Sequence, residues 1–194
     1  MAVRVSAAQR GQRLVRLVRH GRAAAGWNID PDPDLDELGR DQAATIAALL
    51  LAAGSFAVVS SPLLRCRSTA RRYADLADRP VMIAPAVAEI PSPDGIEMAD
   101  RVDWLRGAMQ GTWADLGETY TRYRNDVVDY VRNCDGDTLI FSHFIAINAV
   151  IGACLGDDRL VIRSLDNCSV TTVAIESDGL RLVEGGSEAD TLIR

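Results

Sequence analysis

Short apolar strands alternate with helix signals along this chain, and that alternation restricts the fold more than any other feature. Residues 14–18 read as the first strand. A polar, proline-rich loop through Pro31-Asp32-Pro33-Asp34 separates them from a helix over 36–53, with Gly54 as a left-handed cap. Residues 56–60 read as a second strand, after which Ser61 and Pro62 start a helix as N-cap and first helical residue. Val81–Ile83 is a short third strand. Further on, Tyr120, Tyr123, Val127, Tyr130 and Val131 fall along one side of a helix over Glu118–Arg132. The strand 138–141 leads to an almost wholly apolar helix, 145–155, stopped by Gly156, and its composition predicts burial. Val170–Ile175 and 180–183 make a hairpin through Ser177-Asp178-Gly179.

This order predicts an α/β fold: a three-layer sandwich with a mostly parallel central sheet flanked by helices, in one domain over residues 1–194. Residues 84–118, with Pro85, Pro91, Pro93, Trp104 and Trp113, break the pattern. They are expected to form a small cap insertion over the C-terminal edge of the strands, with both tryptophans packing it or, as the alternative, shaping a substrate pocket. Residues 1–12 lack the apolar stretch of a signal peptide and are read as a loose leader of a cytoplasmic protein. No apolar run reaches the length of a membrane span.

The chain has two histidines, and each sits at the mouth of a predicted strand: His20 after Leu17-Val18-Arg19, and His143 after Phe141-Ser142. Ligands of open α/β sheets collect outside the carboxyl ends of strands. Two imidazoles at that edge, one beside an arginine, point to nucleophilic or acid–base histidine chemistry. All 21 basic residues are arginine. Without lysine, Schiff-base catalysis and P-loop or kinase phosphate binding are excluded. Anion recognition by paired guanidinium hydrogen bonds stays available, although the arginine skew follows equally from genome composition. A net charge of −6 argues against a nucleic-acid partner. Cys66, Cys134, Cys154 and Cys168 lack metal-ligand spacing and are expected to be reduced, mostly buried thiols without chemistry.

Arg19-His20-Gly21, Ser61-Pro62-Leu63-Leu64-Arg65, Glu89 and Ser142-His143 all lie at predicted strand ends or just beyond them. Phosphoryl transfer needs this set. An imidazole attacks phosphorus, arginines neutralise the equatorial oxygens, and a carboxylic acid protonates the leaving alkoxide. Arg65 falls in the first turn of its helix, which adds to the positive field.

The ordered set resembles the histidine phosphatase superfamily, also called the phosphoglycerate mutase-like family. The matching stretches are Leu17-Val18-Arg19-His20-Gly21, the run from Asp34 to Ala43, Ser60-Ser61-Pro62-Leu63-Leu64-Arg65 with Thr69-Ala70, Phe141-Ser142-His143, and Asn167-Cys168-Ser169-Val170. The resemblance implies that His20 is the nucleophile, that Arg19 and Arg65 hold the phosphate, and that His143 completes the pocket as a charged donor. It places the acid–base carboxylate at Glu89, with Asp94 and Glu97 as replacements, and makes Asn28 a phosphate ligand. The chain departs from the family pattern at three places: Arg22 where Glu or Gln is usual, Phe144 where glycine is common, and Pro91-Ser92-Pro93-Asp94-Gly95 after Glu89.

The expected function is metal-independent hydrolysis of a small phosphorylated metabolite through a phosphohistidine, with no cofactor and no nucleic-acid or membrane partner; a homodimer stays open. About fifty residues separate Glu89 from His143, fewer than the cap of the family's mutases spans. A phosphomutase is the alternative from the same chemistry. A non-catalytic phospho-ligand or phosphoprotein binding module is the alternative from another class, and it would need no nucleophile.

Overall fold

The computed structural model describes residues 12–188, so all of the expected leader except Gln12 lies outside the described residues. Six strands form one sheet: β1 (Arg13–Arg19), β2 (Ala57–Ser60), β3 (Val81–Ile83), β4 (Thr138–Ser142), β5 (Val170–Ile175) and β6 (Leu180–Glu184), in the order β3-β2-β4-β1-β5-β6. The pairs β3–β2, β2–β4 and β4–β1 are parallel, whereas β1–β5 and β5–β6 are antiparallel. Two-residue periodicity sorts the side chains. Val15, Leu17, Val59 and Ile140 face one core; Val18, Val58, Leu139 and Phe141 face the other. Helices α1 (Glu37–Ala53) and α2 (Leu64–Ala77) close the second core with Ala47, Leu50, Ala70 and Tyr73. Helices α5 (Glu118–Arg132) and α6 (Phe144–Leu155) close the first with Val127, Val131 and the α6 isoleucines. The result is the three-layer α/β sandwich that the alternation predicts.

Helix α6 carries the largest share of one core, with every residue from Phe144 to Gly152 buried. Fully burying each of its isoleucines stabilises the fold by about 1.5–3 kcal/mol. The one polar residue in that run, Asn148, is fully satisfied. Its Oδ1 accepts from the N–H groups of Ile162 and Arg163, each at 2.9 Å, and its Nδ2 donates to the carbonyls of Phe144 and Arg163. Asn148 thereby fixes the loop that returns the chain to β5.

Two helix ends differ from the sequence expectation. Ser61 and Pro62 lie ahead of α2, which starts at Leu64 with Leu63 at the cap position. The Leu64 N–H is instead met by the Asp32 carboxylate, 2.6 Å away and 32 residues earlier, so the proline-rich loop caps this helix. Gly54 closes α1 at φ 143°, ψ −167°, outside the left-handed helical region; its extended ψ sends the chain directly into β2.

The segment expected to be an irregular cap holds 3₁₀ turns at Pro85–Val87 and Met98–Asp100, helix α3 (Arg101–Ala108), and the short helix α4 (Trp113–Leu116) with a Thr112–Asp115 capping box. It leaves the sheet after β3 and is tied to the carboxyl end of β4, where the Ser142 hydroxyl donates to the Val87 carbonyl at 2.7 Å.

Candidate active site

β1 and β4 run parallel and in register, with Arg19 opposite Ser142, so their carboxyl ends deliver His20 and His143 side by side. The two imidazole centroids are 5.2 Å apart, edge to face. Arg65, in the first turn of α2, donates from Nε to His20 Nε2 at 3.2 Å. His20 Nδ1 lies 2.8 Å from the Gly21 carbonyl, which can only accept, so Nδ1 carries the proton and Nε2 keeps its lone pair. Burial, then the charges of Arg65 and Arg19, hold this imidazole well below the ordinary 6.5. The ring is neutral.

The backbone around His20 is fixed by parts distant in sequence. Asn167 Nδ2 donates to the His20 carbonyl at 2.9 Å, and the His20 N–H donates to the Ser142 carbonyl at 3.0 Å. The Gly21 N–H donates to Thr69 Oγ1, whose own hydroxyl donates to the Arg65 carbonyl. Gly21 and Gly39 lie back to back: a Cβ on Gly21 would come within 2.5 Å of the Gly39 carbonyl oxygen. The glycine after the histidine is therefore required by close approach to the first turn of α1. Arg22 spans the same junction, ion-paired with Asp36, whose other oxygen caps α1 by accepting the Gly39 N–H at 2.7 Å. This arginine departs from the family pattern and ties the histidine loop to α1.

Arg19 is buried, donates to the Leu165 carbonyl, and stacks over the Phe144 ring at 5.1 Å. Phe144, where the family commonly has glycine, is thus the platform on which the Arg19 guanidinium rests. Glu89, in the cap segment, is half-buried beside both arginines; its pKa lies above the ordinary 4.5 because burial outweighs the Ile90 N–H bond and the charges of Arg65 and Arg19. Arg65 Nη1 is buried without a hydrogen-bond partner, a donor of the kind an anion satisfies. Five of the six expected residues therefore converge: Arg19, His20, Arg65, Glu89 and His143. Asn28 does not join them. It is exposed and lines a separate groove with residues 23–26 and α3.

Burial, then the neighbouring Arg65, His20 and Arg19, hold His143 well below 6.5, which works against the charged form expected of it. Its Nε2 lies 2.7 Å from Ser61 Oγ and 3.3 Å from Cys66 Sγ. Ser61, expected to cap a helix, is thus turned onto the second histidine, and its hydroxyl oxygen also accepts the Leu63 N–H. Cys66, expected to have no role, packs against the same ring, while burial holds its thiol far above the usual range. A sequence signal existed for Ser61, which directly follows its strand as His143 does. None existed for Asn167 beyond the resemblance itself.

The arrangement can bind a phosphoryl group between two arginines, attack it with a neutral imidazole and supply a proton from Glu89. A relative named "Probable phosphoglycerate mutase GpmB", from Enterobacter sp. (strain 638), is 26% identical over 82% of this chain and 83% of its own. The structure of a mycobacterial glucosyl-3-phosphoglycerate phosphatase with VO3 matches 91% of this chain and 100% of that one, with a TM-score of 0.72 at 22% identity. Phosphoserine phosphatase from Entamoeba histolytica, in complex with 3-phosphoglyceric acid, matches 90% of this chain and 96% of that one, with a TM-score of 0.70 at 20% identity. At that identity the two structures establish a shared fold. The family model for the histidine phosphatase superfamily, branch 1, matches residues 15–187, which take in both histidines, both arginines and Glu89; the chain belongs to that superfamily.

Proposed function

We propose that this protein hydrolyses small phosphorylated metabolites through a phosphohistidine on His20, without a metal ion. The observation that carries the reading is the state of His20: neutral, with Nδ1–H held by Gly21 and the Nε2 lone pair turned to Arg65. That is a nucleophile aimed where a phosphoryl group would bind.

In the first half-reaction Nε2 bonds to phosphorus as the ester P–O bond breaks, and Glu89 gives its proton to the leaving oxygen. Arg65 shifts from Nε2 to the phosphoryl oxygens at this step and, with Arg19, neutralises their charge. In the second, water gives a proton to the Glu89 carboxylate and its oxygen bonds to phosphorus, while the N–P electron pair returns to Nε2. Glu89 suits both halves because its raised pKa makes it an acid first and then a base. The two guanidinium charges do the work a metal does in other phosphoryl-transfer enzymes, so turnover is expected to survive a chelator.

The names of the mycobacterial and Entamoeba phosphatases support a small metabolite as substrate. The name of the Enterobacter relative favours the second reading, a phosphomutase, which would depend on a bisphosphorylated primer. Rapid quench into alkaline detergent with a ³²P-labelled ester tests the main reading. Acid-labile phosphate is expected on the protein during turnover and is lost in His20→Ala. Label on another residue, or unaltered turnover in His20→Ala, overturns it.

A further inference from the structure

Glu89 lies in no helix or strand, yet the segment that carries it is tied down residue by residue. After β3 the Ala84 N–H donates to the Ser60 carbonyl at 2.9 Å, and the 3₁₀ turn at Pro85–Val87 follows. Two hydroxyls then take the two carbonyls directly ahead of the acid. Ser142, at the end of β4, donates from Oγ to Val87 at 2.7 Å, and Tyr123 of α5 donates to Ala88 at 2.9 Å. Behind Glu89, Ile90 is fully buried in the core. The carboxyl itself accepts the Ile90 N–H at 3.0 Å and the Ile145 N–H in the first turn of α6.

Both hydroxyls are themselves held. The Tyr123 ring packs against the fully buried Trp113, with centroids 5.9 Å apart. Burial and the Glu89 charge push its phenol well above 10, so it stays a donor at neutral pH. Ser142 is buried, and its carbonyl accepts the His20 N–H at 3.0 Å. One residue therefore joins the segment of the acid to the backbone of the nucleophile. A general acid works from within about 2.6–3.2 Å of the atom it protonates, so a segment without a helix or strand needs such ties.

We propose that Tyr123 and Ser142 are positioning residues for the acid: their hydroxyls clamp the two peptide groups ahead of Glu89 and fix where its carboxyl meets the leaving oxygen. This rests on the phosphatase reading above, and it adds two residues that act through Glu89.

Ethyl phosphate and 4-nitrophenyl phosphate isolate the acid step, because the alkoxide needs a proton as it leaves and the nitrophenolate does not. Tyr123→Phe removes one hydroxyl and keeps the ring against Trp113. It is expected to lower kcat/KM for ethyl phosphate about three- to tenfold, the weight of one hydrogen bond, and to leave nitrophenyl phosphate within about twofold. Ser142→Ala keeps the backbone bond to His20 and should give the same split. In a Glu89→Gln background Tyr123→Phe should change neither substrate, because the group it acts through has gone. Equal losses on both esters in the two variants, or a loss on ethyl phosphate that persists in the Glu89→Gln background, overturn the clamp and leave the phosphatase reading standing.

NMR titration of ¹³Cδ-labelled glutamate, with the Glu89 signal identified by its loss in Glu89→Gln, reads the clamp without turnover. The groups that face Glu89 are Arg19 of β1, Arg65 and Cys66 of α2, Tyr123 of α5 and the Ile145 N–H of α6. Tyr123→Phe changes no charge among them. A loosened segment lets water reach the carboxyl, so its pKa should fall toward 4.5. An inactive wild-type protein whose Glu89 pKa still falls in Tyr123→Phe would sink the phosphatase reading and sustain the clamp. An unmoved pKa would sink the clamp.

Discussion

Arg65 serves two partners. Its Nε donates to His20 Nε2, and in the proposed reaction its planar fork faces phosphoryl oxygens. Lysine offers a charge without that fork, so Arg65→Lys is expected to lower kcat/KM by roughly 30- to 1,000-fold, about 2–4 kcal/mol of transition-state stabilisation. Steady-state kinetics on one ester checks this, and near-normal kcat/KM would make the arginine peripheral. Glu89 and His20 together set the pH profile. His20 must be neutral, and its pKa is held below 6.5, so the acid limb of kcat/KM lies below the imidazole range. Glu89 must be protonated, and its pKa is raised above 4.5, so activity falls as pH rises through that raised value. The two shifts lower the acid limit and raise the alkaline limit, so together they widen the pH window in which both groups are in their working states. Glu89→Gln should flatten the alkaline limb, and it should slow alkyl phosphates far more than nitrophenyl phosphate, whose leaving group needs no acid. Equal losses on both substrates would move the acid to Asp94 or Glu97.

The six strands and the four helices that flank the sheet were legible in the sequence; helices α3 and α4 within the cap segment, and how the element ends are tied, were not. Strand and helix periodicity located every strand, and the apolar run after His143 announced the buried α6, because each follows from local side-chain spacing. The start of α2 was misplaced because its cap comes from Asp32, a contact no local pattern encodes. Asp32→Ala leaves the Leu64 N–H without that acceptor and should cost about 1 kcal/mol, a drop in Tm of roughly 2–4 °C. Because Arg65 follows Leu64 directly, the same substitution should also raise KM. Thermal melts with kinetics on the same preparation check both. The site divides in the same way. The residues that would meet phosphate sit in recognisable motifs, whereas their supports, Ser61 on His143 and Asn167 on His20, depend on juxtapositions that the finished sheet creates.

Arg19, His20, Arg65, Glu89 and His143 are gathered together, and the pKa values of both histidines are displaced by burial among like charges. A bound anion relieves that repulsion, so the fold and the ligand are thermodynamically linked. Inorganic phosphate at about one hundred times its Kd should stabilise the native state by roughly 2.7 kcal/mol. That raises Tm by about 5–10 °C for a chain of this length. Differential scanning calorimetry with and without phosphate measures it, and Arg65→Lys should shrink the shift. The strand order carries a further consequence, for the newborn chain. β1 is made first but lies between β4 and β5, whose residues come more than a hundred positions later. At the ribosome's pace of about 5–20 residues per second, it waits on the order of ten seconds for its first partner. During that time a strand with Leu14, Val15, Leu17 and Val18 uncovered and His20 at its tip stands unpaired, and the proposed nucleophile is synthesised long before the protein has a pocket to put it in.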